Sequence, residues 1–132
     1  MEKKIISTDK APKAIGPYSQ AVEVGEFLFL SGQIPIDPST GDMVEGDFQA
    51  QTRRVMENLK AVLESRGLRM ESVVKTTIFL TDMGKFSQVN EIYGSYFSEN
   101  PPARSTVQVG GLPRGAAIEV EAVALTTDPY SY

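Results

Sequence analysis

The sequence predicts an α+β domain in which two helices cover one face of a single sheet and a second copy of the chain covers the other. Three observations carry this. Two stretches with apolar residues at helical spacing alternate with β-branched, strand-forming stretches. Two of the strands are apolar on both faces, which calls for cover on both sides. Only two helices are available to supply that cover. The length of 132 residues favours one domain, spanning residues 1–132.

The first turn signal is Ala14-Ile15-Gly16-Pro17. Strands follow at residues 20–24 and 27–32, joined by a tight hairpin turn at Gly25-Glu26. Residues 37–42 are dense in turn formers. Asp47 can cap a helix running to about residue 66, whose inner face is Phe48, Thr52, Val55, Met56, Leu59, Val62 and Leu63. Gly67 stops it, because glycine accepts the left-handed conformation at no steric cost. Residues 72–80 read as a buried strand. A second helix spans about 85–98, with Phe86, Val89, Tyr93, Tyr96 and Phe97 on its core face, and Pro101-Pro102 prevents its continuation.

The last strands, 104–109 and 117–125, look like a hairpin around a glycine-rich turn at 110–115. Strand–helix–strand units imply parallel neighbours with right-handed crossovers, so two steps in one direction put both helices on one face. The other face is not expected to be wet. Phe27-Leu28-Phe29-Leu30 leaves neither side of its strand polar. In the final strand Ile118, Val120, Ala122 and Ala124 form one face, and Val123 and Leu125 belong to the other. Another copy is therefore expected against the bare side, closing as a symmetric ring or dimer.

The chain has no His and no Cys. That excludes a Ser-His-Asp triad, a thiolate nucleophile, disulfides and the usual zinc, copper, haem and iron–sulfur ligand sets. Carboxylates, Lys, Tyr and backbone remain for acid–base work, and an oxygen-liganded Mg²⁺ or Ca²⁺ site stays open. A net charge of −4 argues against a nucleic-acid partner, which normally meets a basic footprint. Lys3-Lys4 is followed by no signal-peptide core, and the apolar runs are far shorter than the ~20 residues that span a bilayer. A cytoplasmic chain with no membrane partner is expected.

Several residues could carry chemistry. Arg104 opens a strand and shares one face with Thr106 and Gln108. That face is either solvated, or it offers a guanidinium fork to a carboxylate ligand. Glu119 and Glu121 face the same way as Val123 and Leu125, either as a wet strand end or as a carboxylate able to handle a water. Asn90 sits at the margin of the second helix's core face. Tyr18 can anchor the leading loop. At Ser31-Gly32, glycine ending an apolar strand marks a bulge or a close approach to backbone.

In this order, these residues resemble the Rid (YjgF) family of reactive intermediate deaminases. The resemblance covers essentially the whole chain. It is most specific in Pro102-Ala103-Arg104-Ser105-Thr106-Val107, Leu112-Pro113 and Ile118-Glu119-Val120. Ala14-Ile15-Gly16-Pro17-Tyr18-Ser19-Gln20, Ser31-Gly32-Gln33-Ile34-Pro35 and Val89-Asn90-Glu91-Ile92-Tyr93 carry it further.

The resemblance implies a mixed six-stranded sheet with both helices on one face, like the Bacillus-type chorismate mutase, assembled as a homotrimer. It also implies that the final strand inserts centrally rather than closing a hairpin. Sites would lie in the clefts between subunits. They would hydrolyse 2-aminoacrylate-type enamines and the 2-imino acids 2-iminopropanoate and 2-iminobutanoate to 2-oxo acids and ammonia, without metal or cofactor. Arg104 would bind the substrate carboxylate and Glu119 would position the water. Tyr18, Ser31, Gly32 and Asn90 would line the site with Thr106, where many relatives carry Cys. A non-catalytic regulatory or chaperone-like trimer is the main alternative; a ribonuclease role, also attached to relatives, fits poorly with the acidic charge and the lack of His.

Overall fold

The computed structural model describes residues 1–127. Six strands form one mixed sheet: β1 (Lys3–Ile6), β2 (Ala21–Val24), β3 (Phe27–Gln33), β4 (Val73–Leu80), β5 (Ala103–Gln108) and β6 (Ile118–Leu125). Two α-helices, α1 (Phe48–Ser65) and α2 (Phe86–Tyr96), connect β3 to β4 and β4 to β5. The spatial order is β1-β2-β3-β6-β4-β5. All neighbours are antiparallel except β4 and β5.

This order corrects two readings of the residue pattern. β5 and β6 do not form a hairpin; β6 lies between β3 and β4, as the family resemblance implies. Consequently β3 and β4 are parallel but not neighbours, and only the β4–α2–β5 unit joins adjacent parallel strands. The physical reason is the doubly apolar β6, whose Ile118, Val120, Ala122 and Ala124 are buried against the helices. A central position pairs both its edges. β1 was not foreseen at all. It is a four-residue edge strand with two lysines, short and charged in the manner that keeps sheet edges from pairing with other chains.

The helix boundaries follow local chemistry. Asp47 is extended and its carboxylate accepts from the Ala50 amide at 2.8 Å, capping α1. Gly67, at φ 76°, ends the turn after α1, where the Leu68 amide returns to the Leu63 carbonyl. Both helices pack on the same face of the sheet. Leu28, Leu30, Ile78, Leu80, Ile118 and Val120 meet Val55, Met56, Leu59, Val62 and Leu63 of α1 and Val89, Tyr93 and Phe97 of α2. Each large side chain fully buried here contributes about 1.5–3 kcal/mol of transfer free energy.

Among the described residues no helix or strand covers the opposite face. Phe27 and Phe29 lie there 43% and 48% exposed, cross-strand from Val22, Val24, Val123 and Leu125. Ile5 and Val107 are exposed too. Ile5, Val22, Val24, Phe27, Phe29, Val123 and Leu125 adjoin across β1, β2, β3 and β6 as one apolar patch of the kind that isolated soluble domains seldom present. Lys75, Thr77, Glu119 and Glu121 separate Val107 from it.

Candidate active site

Arg104 sits near the start of the edge strand β5, in register with Thr76 of β4. Thr76 is buried under α2, so Arg104 points to the helix-covered face. There its Nη1 donates to Asn90 Oδ1 at 2.7 Å, and its guanidinium carbon stands 5.3 Å from the Phe86 ring centre and 5.1 Å from that of Tyr93. Phe86, Asn90 and Tyr93 are spaced four and three residues apart, one stripe of α2. Among the described residues no carboxylate pairs with Arg104. Beside it opens a cleft of about 540 Å³ lined by Asn90, Tyr93, Phe97, Pro101 and Pro102.

Thr106, two residues on, is in register with the buried Ile78 and shares Arg104's face. Its hydroxyl is buried with no hydrogen-bond partner among the described residues. Gln108 lies further along; its side-chain oxygen accepts from the Met83 amide.

Glu119 belongs to a second cluster. It is in register with Phe79, and so faces away from the helices. Burial pushes its carboxyl above the ordinary glutamate value, and the neighbouring negative charge of Glu121 pushes the same way. Glu119 lies against Gly32: a Cβ built there would collide with the carboxylate and stand 2.8 Å from its carbon. The β3–β6 register shifts between Leu30 and Gln33, so Ser31-Gly32 is a bulge, and the space a side chain would fill belongs to Glu119.

The surrounding loops are fixed by buried amides. Ser31 donates to the Ser19 carbonyl at 2.5 Å, tying β3 to the Tyr18 loop. Gln20 donates to the Pro12 carbonyl at 2.7 Å and accepts from the Thr8 amide at 2.6 Å. Asn58, fully buried on α1, donates to the Ile36 carbonyl at 2.9 Å. Tyr18 itself is half exposed. It lines a largely apolar pocket of about 250 Å³ with Gly32, Ile15, Ile34, Pro113 and Arg114. No cluster of three or more acidic side chains suited to a metal ion occurs among the described residues.

Residues 8–126 match the family described as endoribonuclease L-PSP. The chain belongs to this family, which is the Rid family. A human relative named 2-iminobutanoate/2-iminopropanoate deaminase is 48% identical over 93% of this chain and 90% of its own. The solved structure of a Rid protein from Yersinia pestis superposes with a TM-score of 0.92 at 52% identity, covering 94% of this chain and 99% of that one. E. coli TdcF, solved with bound serine, superposes with a TM-score of 0.88 at 44% identity, covering 92% and 98%.

In this Rid chain the residues singled out from the sequence form two clusters, not one. Arg104, Asn90 and Thr106 lie on the helix face, whereas Glu119, Gly32, Ser31 and Tyr18 gather around the β3 bulge. Arg104 and Glu119 lie on opposite faces of the sheet. Helical spacing puts Phe86 and Tyr93 on the core face, and Tyr93 is buried there; that spacing alone does not tell that both rings also confine the Arg104 guanidinium. Asn90 between them, on the same stripe, was the available signal. No helix among the described residues is long and apolar enough to cross a membrane.

Proposed function

We propose that this chain hydrolyses reactive 2-imino acids and their enamine tautomers to 2-oxo acids and ammonia, in clefts between the subunits of a homotrimer. The observation that carries the reading is the Arg104 guanidinium. It is held by an amide and two aromatic rings and lacks a carboxylate partner among the described residues. Such a fork suits a ligand carboxylate. The name of the human relative and the serine bound to TdcF point to the same ligand class.

Glu119 supplies the second function. Burial and the charge of Glu121 raise the proton affinity of the Glu119 carboxylate, which makes it a better base toward water and able to hand that proton on. Water adds to C2 of the protonated imine while Glu119 accepts its proton. Glu119 then gives that proton to the amino nitrogen, and the C–N bond breaks as the oxygen lone pair forms the carbonyl at C2. The hydroxyl proton passes through the Glu119 carboxylate to the departing ammonia, which leaves as ammonium. Opposite faces of one sheet cannot serve one small substrate, so Arg104 of one copy would work with Glu119 of another. The exposed Phe27 and Phe29 face gives that second copy a surface to pack on.

The test is ammonia release from 2-iminobutanoate generated in situ by a threonine dehydratase, with and without the protein. The parent chain accelerates release, and Arg104→Lys, which keeps the charge but loses the fork, weakens binding of pyruvate by about 10- to 100-fold. Pyruvate binding without acceleration would establish the non-catalytic alternative. An Arg104→Lys variant with parental turnover would refute the carboxylate role.

A further inference from the structure

We infer that Tyr93 is a positioning residue for Arg104, held in place by the hydroxyl of Thr76; this rests on the carboxylate-binding role proposed for Arg104. Tyr93 is 5% exposed, and its hydroxyl lies 2.7 Å from Thr76 Oγ1, which is itself buried. Thr76 is the cross-strand partner of Arg104. The contacts therefore close a loop: β4 fixes Arg104's backbone, Thr76 pins the Tyr93 hydroxyl, and the Tyr93 ring faces the guanidinium. Phe97 packs on the same ring, with centres 4.8 Å apart.

The loop matters because an arginine near a sheet edge has several rotatable bonds. Asn90 takes one N–H of the guanidinium and the two rings confine its plane, leaving other N–H groups available to a ligand. A pre-oriented fork loses less conformational freedom when the carboxylate arrives. Tyr93 touches no reacting atom in this scheme, so its effect falls on ligand affinity and KM rather than on kcat.

The experiment uses Tyr93→Phe, Thr76→Val and the double variant in the full chain, with pyruvate as the probe. Each single change leaves a buried hydroxyl without its partner and lowers stability, whereas the double change removes both and restores it. Each single variant raises the pyruvate Kd about 2- to 5-fold, because the ring remains and only its anchoring over the guanidinium, and with it part of the cation–π contact, is lost, with kcat changed far less. The double variant keeps the weakened affinity although its stability returns. In an Arg104→Lys background Tyr93→Phe has no further effect on affinity.

Affinity that recovers together with stability in the double variant would reduce the pair to a packing role and overturn the inference. So would parental pyruvate affinity in both single variants while Arg104→Lys has lost it; the carboxylate reading would then stand alone. Parental affinity in Arg104→Lys overturns both.

Discussion

Replacing Gly32 by Ala perturbs Glu119 without changing that residue itself. The added methyl would stand 2.8 Å from the carboxyl carbon of Glu119 and 2.9 Å from its Cγ. Ordinary carbon–carbon contact is about 3.5–4.0 Å, so the carboxylate must retreat by roughly 1 Å or rotate away. A displacement of that size can cost ~10²-fold in rate, and complete loss of acid–base help ~10²–10⁴-fold. Turnover of the variant therefore falls by about 10² or more. The backbone is not left-handed at Gly32, so alanine adds no backbone strain there and the clash falls on the Glu119 side chain.

Alanine also restricts the unfolded chain, worth about 0.4–1 kcal/mol in favour of folding. The atoms in the way are the far end of a side chain that can rotate, so the clash is relieved without moving backbone. The unfolding free energy accordingly stays within about 1 kcal/mol of the parent. Gly111→Ala is the control, since a methyl there meets open space. The assay is steady-state ammonia release beside pyruvate titration. Loss of rate with pyruvate affinity and stability intact is the expected result for Gly32→Ala. Parental turnover would refute the idea that Glu119 acts from where it lies.

Glu119→Gln lowers turnover by ~10²–10⁴-fold, and it does so without destabilising the fold. Because the folded-state value of Glu119 is raised by burial and by Glu121, its contribution to stability is present at low pH and lost as pH rises through that value. Denaturant titrations on both sides of the carboxylate range should show the Gln variant gaining on the parent toward high pH. Asp47→Ala removes the α1 cap and costs about 1 kcal/mol in unfolding free energy, most of which Asp47→Gly recovers. Phe29→Asp places a charge in the middle of the open apolar face. Light scattering coupled to size exclusion should find the parent at about three times 14.4 kDa and the variant at lower mass; an unchanged trimer would mean that copies meet elsewhere.

Local chemistry made much of the fold legible. The Asp47 cap, the inner face of α1 and the stop at Gly67 were all written in residue types whose preference is intrinsic. β6 shows the limit. Its two apolar faces said that it was covered, but periodicity carries no information on which strands flank it, and the resemblance had to supply that. At the site, parity along β5 and β6 placed Arg104 with Thr106 and Glu119 with Glu121. Only the cross-strand register, Thr76 with Arg104 and Phe79 with Glu119, shows that the two sets face opposite ways. Gly32 was marked as a bulge or a close approach; it is a bulge, and the group that approaches is Glu119.

The place of β6 has a bearing on how the chain is made. Its β3 and β4 edges are joined through a strand that follows both of them by dozens of residues in sequence. A nascent chain leaving the ribosome can form the β1-β2-β3 meander and the β4–α2–β5 crossover, but it holds them as two unsealed halves. Each half keeps one open hydrogen-bonding edge until residues 118–125 emerge to close the gap. Synthesis at about 5–20 residues per second makes that interval a matter of seconds, during which the exposed edges are open to capture by other chains.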